Sequence, residues 1–164
     1  ASQEICFLPN ADYRAFLKQE IKKDIKPGLV IDKQGNILGE HKGIAFYTIG
    51  QREGLGIAKG YPLYITKIDH KNNQITVGVK KDALKKEFLL KDSHFIFEPI
   101  KKKIVLGVKI RYNHKEAKAE VEPFKNKLKV KFIKPQFAIT PGQSAVFYNK
   151  DIVLGGGIID EVLD

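Results

Sequence analysis

The chain has 164 residues, 18.5 kDa and a formal net charge of +10, with 43% hydrophobic and 29% charged residues. This length suits one ordinary domain or two small ones with hydrophobic cores. No apolar run approaches the roughly 20 residues that cross a bilayer, and no basic segment followed by an apolar stretch marks a signal peptide. The sequence therefore predicts a soluble cytoplasmic protein with no membrane partner, and its single cysteine, Cys6, excludes an internal disulfide.

The first 27 residues are predicted to form a linker that carries Cys6 and one helix. Asn10 is a suitable N-cap, apolar residues recur at helical spacing from about Ala11 to Lys26, and Pro27-Gly28 ends the pattern. Cys6 stands between two apolar neighbours, which favours a buried and inert thiol. A reactive role for Cys6 would need a positive group or a helix N-terminus nearby.

Two hairpins are predicted after this linker, one with strands at Leu29–Ile31 and Ile37–Gly39, the other at Leu63–Asp69 and Gln74–Val79. A stretch punctuated by glycines, GIAFYTIGQREGLGI, separates them. A short helix or loop is expected over Lys81–Leu90. These elements predict a small mixed central domain.

The remaining sequence reads as strands only, which predicts a six-stranded and nearly or fully closed β-barrel. The fold class is therefore α+β, mostly β, with a linker over residues 1–27, a central domain over 28–91 and a barrel over 92–164. The six candidate strands are His94–Phe97, Ile104–Tyr112, Ala117–Pro123, Leu128–Ile133, Ser144–Tyr148 and Ile152–Ile159.

Positive charge is concentrated in the second half, where residues 98–134 hold twelve Lys or Arg against four Glu. Alternation along the strands places Lys109 and Arg111, and likewise Lys129 and Lys131, on the outside of the barrel. Such a surface fits a polyanion, because neutralised phosphates release counterions. A solvated lysine-rich face is the alternative that charge alone leaves open.

Other motifs exclude some functions. GQREGLG and LGGGII lack the Lys-Ser/Thr and the following helix of a phosphate loop, and the glycines of LGGGII indicate a bulge or close backbone packing. The four histidines have no paired spacing, so no metal site is predicted. The tight turn TPGQ is expected to leave Gln143 exposed at a strand start, where its amide is placed to contact RNA.

Five stretches in order, SQEICF, GEHKGIAFYTIGQREGLGI, VKIRY, TPGQSAVFY and LGGGII, resemble the bacterial tRNA-specific 2-thiouridylases. The resemblance implies replacement of oxygen by sulfur at position 2 of the wobble uridine. It also implies a preceding ATP-pyrophosphatase-type catalytic domain that binds ATP and Mg²⁺, adenylates the base and holds a second cysteine. Cys6 occupies the place of the cysteine that carries a persulfide, which a sulfur-donor protein (a cysteine desulfurase or a sulfur relay) would load.

The chain departs from the family pattern because it has no Ser-Gly-Gly-x-Asp-Ser loop and no second cysteine. The chain is therefore expected to be a fragment, and its lack of methionine and its start at Ala1 agree with that expectation. The fragment is expected to be monomeric and unable to thiolate tRNA alone, whereas its parent enzyme can. The match implies that Arg111, Tyr112 and Gln143 contact tRNA, although Tyr112 would reach RNA only at the strand end. Charge patterning adds Lys109, Lys129 and Lys131. The alternative function is a non-catalytic RNA-binding barrel module of the translation apparatus, in which Cys6 is inert.

Overall fold

The computed structural model describes residues 25–163 together with Phe16 and Glu20. Phe16 and Glu20 are helical, whereas Ile25 and Lys26 are not. Cys6 and the rest of the helix predicted from about Ala11 lie outside the described residues. The chain divides into two compact units, with the division after Lys80.

The first unit is built on a four-stranded mixed sheet of order β2-β1-β4-β3, which contains both predicted hairpins. Each hairpin is antiparallel, and the two are joined by a parallel pairing of β1 with β4. A single turn of 3₁₀ helix over Ile44–Phe46 follows the first hairpin. The strands are β1 (Gly28–Ile31), β2 (Ile37–His41), β3 (Tyr64–Asp69) and β4 (Gln74–Gly78).

A buried histidine, His41 on β2, forms hydrogen bonds that connect this edge strand to the turn before β4. The Nδ1 atom of His41 accepts a hydrogen bond from the Gly43 N–H at 3.1 Å, so its proton lies on Nε2, which donates to the Asn73 carbonyl at 3.1 Å. Gly28 packs against the same two groups, and a Cβ at that position would lie 2.6 Å from the His41 ring. Six residues form the core of the unit: Val30, Leu55, Leu63, Ile65, Ile75 and Val77.

The second unit is a closed antiparallel barrel of order β10-β5-β8-β7-β6-β9, which confirms the predicted six-stranded barrel. Phe88, Phe132 and Phe147 are completely buried in its core, each on a strand whose inward residues are apolar. A 3₁₀ turn over Lys80–Ala83 precedes it. The strands are β5 (Leu84–Phe95), β6 (Ile104–Lys109), β7 (Ala117–Phe124), β8 (Lys127–Phe137), β9 (Ser144–Asn149) and β10 (Ile152–Val162).

The three glycines of LGGGII lie within β10, where the predicted bulge and close packing are both confirmed. The register slips on either side of Gly155 and Gly156. A Cβ at Gly155 would stand 2.2 Å from the His94 carbonyl oxygen, and one at Gly156 would stand 2.4 Å from that of Ala145. Neighbouring backbones therefore fill the space that a side chain would need.

One local prediction is wrong. Lys81–Leu90 was expected to be a short helix or loop, but β5 begins at Leu84 and pairs with β8 and β10 on its two sides. Residues 84–91 therefore belong to the barrel sheet rather than to the mixed sheet. Phe88 and Leu90 point into the core, and pairing on both edges outweighs the helical propensity of the Lys-Lys-Glu segment between Leu84 and Phe88.

Among the residues that the structure describes, no helix combines the length and the apolar character needed to cross a membrane.

Candidate nucleic-acid interface

The three residues marked by the resemblance meet at one end of the barrel. Strand β6 runs antiparallel to β9 with Lys109 opposite Val146, so the end of β6 lies beside the start of β9. Strand β8 ends at the same edge, because it runs parallel to β6 with β7 between them. We call residues 109–116 and 137–143 the Tyr112 end.

Tyr112 is the most exposed large hydrophobic side chain of the described residues, with 82% of its surface accessible. Strand β6 stops at Lys109 and the chain turns, which projects the phenol away from the barrel wall. Lys109 itself lies on the outer face, as predicted, with Nζ 5.4 Å from the centre of the Tyr148 ring. The Tyr112 end thus presents exposed aromatic surface beside a cation, as in single-strand RNA binding.

The placement predicted for Arg111, on the exposed outer face, is wrong. Its Nη2 atom donates hydrogen bonds to the carbonyl oxygens of Phe137 at 2.9 Å and Ala138 at 2.6 Å, and burial lowers the pKa of the guanidinium. The reason is that β6 has already ended, so strand alternation no longer applies. Arg111 stabilises the chain at Ala138, whose φ of 56° lies in the left-handed region.

Gln143 is also less exposed than predicted. The turn before it is pinned to β10, since the Gly142 N–H donates to the Ile159 carbonyl and the Ile159 N–H donates to the Gln143 carbonyl, both at 2.8 Å. The side chain is half-buried, and its Oε1 atom is buried without a hydrogen-bond partner among the described residues. The backbone of Gln143 is therefore held in a fixed position, with the Oε1 acceptor away from solvent.

His114 belongs to the same end and was missed by the sequence analysis. The backbone N–H of His114 donates to the Arg111 carbonyl at 3.1 Å, and its Nε2 contacts Gln136 Oε1 at 3.1 Å. Because Oε1 can only accept, Nε2 carries the proton and Nδ1 is an acceptor. Burial lowers the pKa of His114, which keeps the ring neutral at pH 7. The only sequence signal was its position just after VKIRY.

Three buried polar atoms at the Tyr112 end have no partner within the described part of the chain: Arg111 Nε, His114 Nδ1 and Gln143 Oε1. Burying such a group unpaired costs about 1–3 kcal/mol, and native proteins tolerate few of them. Because all three atoms are buried, they lie beneath the surface of the Tyr112 end.

Lys129 and Lys131 of β8 lie on the outer face as predicted, but both form ion pairs. Glu87 of β5 forms ion pairs with Lys129 at 2.9 Å and Lys131 at 2.5 Å, and these hydrogen bonds lower its pKa. On the β7 side, Lys103 contacts Glu120 at 3.2 Å and Glu122 at 3.7 Å. This face carries alternating charges rather than a continuous cationic surface.

Neither glycine-rich motif has the structure of a phosphate loop. LGGGII lies inside a strand, and the element that follows GQREGLG is β3 rather than a helix. No group of three or more His, Cys, Asp or Glu residues within the described ranges is arranged to hold a metal ion. The described residues therefore do not fit ATP bound through Mg²⁺.

Two family models match consecutive parts of the chain. Residues 14–79 match the tRNA methyl transferase PRC-barrel domain, and residues 85–159 match the aminomethyltransferase beta-barrel domain. The two matched segments correspond to the mixed-sheet unit and the closed barrel. They define the class: a PRC-barrel domain of the tRNA transferase type followed by an aminomethyltransferase-type barrel.

Curated relatives narrow this class to one family. The chain is 51% identical to tRNA-specific 2-thiouridylase MnmA 1 of Caldanaerobacter subterraneus subsp. tengcongensis, over 98% of the chain and 44% of that protein. It is 50% identical to MnmA 2 of Thermoanaerobacter sp. strain X514, over 99% of the chain and 45% of the relative. The chain belongs to the tRNA-specific 2-thiouridylase family, and it spans about half the length of the curated relatives it matches.

Proposed function

We propose that this chain is the central and C-terminal part of an enzyme that 2-thiolates the wobble uridine of tRNA. The observation that carries the proposal is the identity of 50–51% to tRNA-specific 2-thiouridylases over nearly the whole chain. Since the chain covers less than half of those proteins, the adenylation chemistry belongs to a catalytic domain outside it. ATP and Mg²⁺ are proposed to bind there, which agrees with the poor fit of the described residues to a nucleotide bound through Mg²⁺.

In this proposal the Tyr112 end of the barrel binds the tRNA. Tyr112 stacks on an unpaired base, Lys109 contacts a phosphate, and Gln143 contacts the RNA through the accessible part of its half-buried side chain. Arg111 does not contact the tRNA itself in this proposal. It is a positioning residue whose guanidinium holds the carbonyls of Phe137 and Ala138. Lys129 and Lys131 already have Glu87 as a partner, so they contribute to the barrel's charge balance more than to phosphate binding.

Cys6 is proposed to carry the sulfur as a persulfide in a cytoplasmic, monomeric enzyme loaded by a cysteine desulfurase or a sulfur relay. A persulfide is a good nucleophile near neutral pH, and adenylation of the base turns a poor leaving oxygen into a good one. Extrusion of the uridine from the stack exposes the carbon that is attacked.

The decisive experiment is Cys6→Ser in the intact protein. We expect 2-thiouridine formation, measured by mass spectrometry of digested tRNA, to be abolished, while the dissociation constant for tRNA stays within about twofold of wild type because serine differs by one atom. His70→Ala, an exposed change in the turn between β3 and β4, is the control that retains activity. Thiolation by the Cys6→Ser variant would contradict the persulfide role. If the wild-type protein binds tRNA but never thiolates it, the alternative function, a non-catalytic RNA-binding module, would be favoured.

A further inference from the structure

The segment Gly50–Leu63 of the first unit forms a shaped loop with no role in the proposed chemistry. Its path requires left-handed backbone at Gly50, Gly54, Gly56 and Gly60, with φ between 64° and 85°. Nothing lies within 4 Å of a Cβ built on Gly56 or Gly60, so these glycines serve the turn rather than close packing. No other part of the described chain packs against the loop at these two glycines.

Gln51 holds this loop in one conformation. Its Oε1 accepts from the Thr48 N–H at 3.1 Å, and its Nε2 donates to the Glu53 carbonyl at 2.8 Å. Two backbone hydrogen bonds tie the loop to β3, from the Gly50 N–H to the Ile65 carbonyl at 2.8 Å and from the Ile65 N–H to the Gln51 carbonyl at 3.0 Å. The next residue, Arg52, is thus presented from a braced backbone.

Arg52 and Tyr61 line the same cavity of about 370 Å³, whose floor is formed by Leu55 and Leu63. Tyr61 is 53% exposed, and Arg52 is exposed with no hydrogen bond or ion pair to the residues that the structure describes. The volume falls in the range of small-ligand pockets, about 300–1,000 Å³. The cavity therefore combines an available guanidinium, an available aromatic ring and an apolar floor.

We propose that this cavity, the Arg52–Tyr61 pocket, binds one nucleotide, with its base against Tyr61 and its phosphate on Arg52. A planar guanidinium suits a phosphate, and every base has a face that stacks on an aromatic ring. Such a nucleotide is either an unpaired position of the tRNA or a free mononucleotide. This inference rests on the proposed function for its tRNA source, and it adds a second contact on a different unit from the barrel.

The test uses Arg52→Ala and Tyr61→Ala in the intact protein, with dissociation constants for tRNA and for AMP measured side by side. If the tRNA supplies the nucleotide, each variant weakens tRNA binding at least about fivefold, since loss of one stacked base costs about 1–3 kcal/mol. Arg52→Ala also lowers the slope of log affinity against log salt by about one. If a free nucleotide is the ligand, AMP binding is lost in both variants while tRNA affinity is unchanged.

Tyr61→Phe keeps the ring and should bind like wild type. Lys71→Ala is the charge control, because it removes one positive charge from the same unit, as Arg52→Ala does. Lys71 is exposed and lies just beyond the end of β3 that is far from the loop. Unchanged affinity for both tRNA and AMP in Arg52→Ala and Tyr61→Ala overturns the pocket while the proposed function stands. A wild-type protein that binds no tRNA overturns the proposed function instead.

Discussion

Two regions of the barrel look equally basic in the sequence and differ in the structure. The outer face of β8 displays Lys129 and Lys131, but each is within ion-pair distance of Glu87. At the Tyr112 end, Lys109 lies against an aromatic ring and forms no ion pair with the described residues. The comparison teaches that the number of lysines in a segment does not measure the charge available to a polyanion.

The cause of this difference is where each lysine stands in the sheet. Antiparallel pairing sets Lys131 between Glu87 of β5 and Glu120 of β7, so every central position has a neighbour on each side. Where β6 ends, the chain turns away from its neighbours and cross-strand pairing stops. The carboxylate of Glu116 lies against Gly107 rather than in an ion pair with a described residue.

The largest expected effect is a loss of stability in Arg111→Ala, which distinguishes this residue from its exposed neighbour Tyr112. Arg111→Ala removes the donor to two carbonyls and should lower the free energy of unfolding by about 3 kcal/mol, in the range for hydrogen bonds to charged groups. Urea denaturation measures it. Lys109→Ala, an outward-facing control at the end of β6 two residues earlier, should change the value by less than about 0.5 kcal/mol. Unchanged stability combined with lost tRNA affinity would return Arg111 to the RNA-contacting surface.

Tyr112→Ala tests the other half of the comparison. Loss of one stacking platform should weaken tRNA binding by about tenfold, close to 1.4 kcal/mol, with stability unchanged because the side chain is 82% exposed. Fluorescence anisotropy with labelled tRNA measures it, and Tyr112→Phe should bind like wild type. Lys129→Ala is the matched change on the paired face and should alter affinity by less than about twofold. A larger effect from Lys129 than from Tyr112 would reverse the assignment of the two surfaces.

Much of the fold could be predicted because period-two alternation is a local signal. In β8, Leu128, Val130 and Phe132 are buried and the intervening lysines are not, as alternation requires. The first part of β5, before the strand predicted from His94, escaped detection because Leu84 and Phe88 are four residues apart with good helix formers between them. Only pairing with β8 and β10, both distant in sequence, makes this segment a strand.

The candidate site was predicted in position but not in detail. The resemblance located Arg111, Tyr112 and Gln143, and the structure brings them to one end of the barrel. Whether Arg111 or Tyr112 points outward depends on where β6 stops. The strand was predicted to end at Tyr112, but it ends three residues earlier, at Lys109. His114 reaches this end only through a turn and a contact with Gln136, a residue 22 positions away. No local pattern records such contacts.

The smallest expected effect concerns the ion pairs that distinguish the β8 face. Hydrogen bonds from Lys131 and then Lys129 hold the pKa of Glu87 below its ordinary value of 4.5. A carboxyl whose pKa is lower in the folded state adds stability that is complete above its unfolded pKa. That stability is lost as the pH falls through the folded pKa. The contribution of Glu87 is therefore present at pH 7 and disappears in acid.

Glu87→Gln should accordingly lower the free energy of unfolding by about 1 kcal/mol at pH 7, in the range measured for partly exposed ion pairs. As the pH falls through the lowered pKa of Glu87, the wild-type carboxyl becomes protonated and the two proteins should converge. Denaturation curves recorded in steps from pH 7 into acid measure this convergence. Glu98→Gln is the control, because its pair with Lys101 spans 3.8 Å and both side chains are more than three-quarters exposed. If Glu87→Gln changes the free energy of unfolding at pH 7 no more than this control does, the carboxylate does not hold Lys129 and Lys131. The outer face of β8 would then be a free cationic surface available to tRNA.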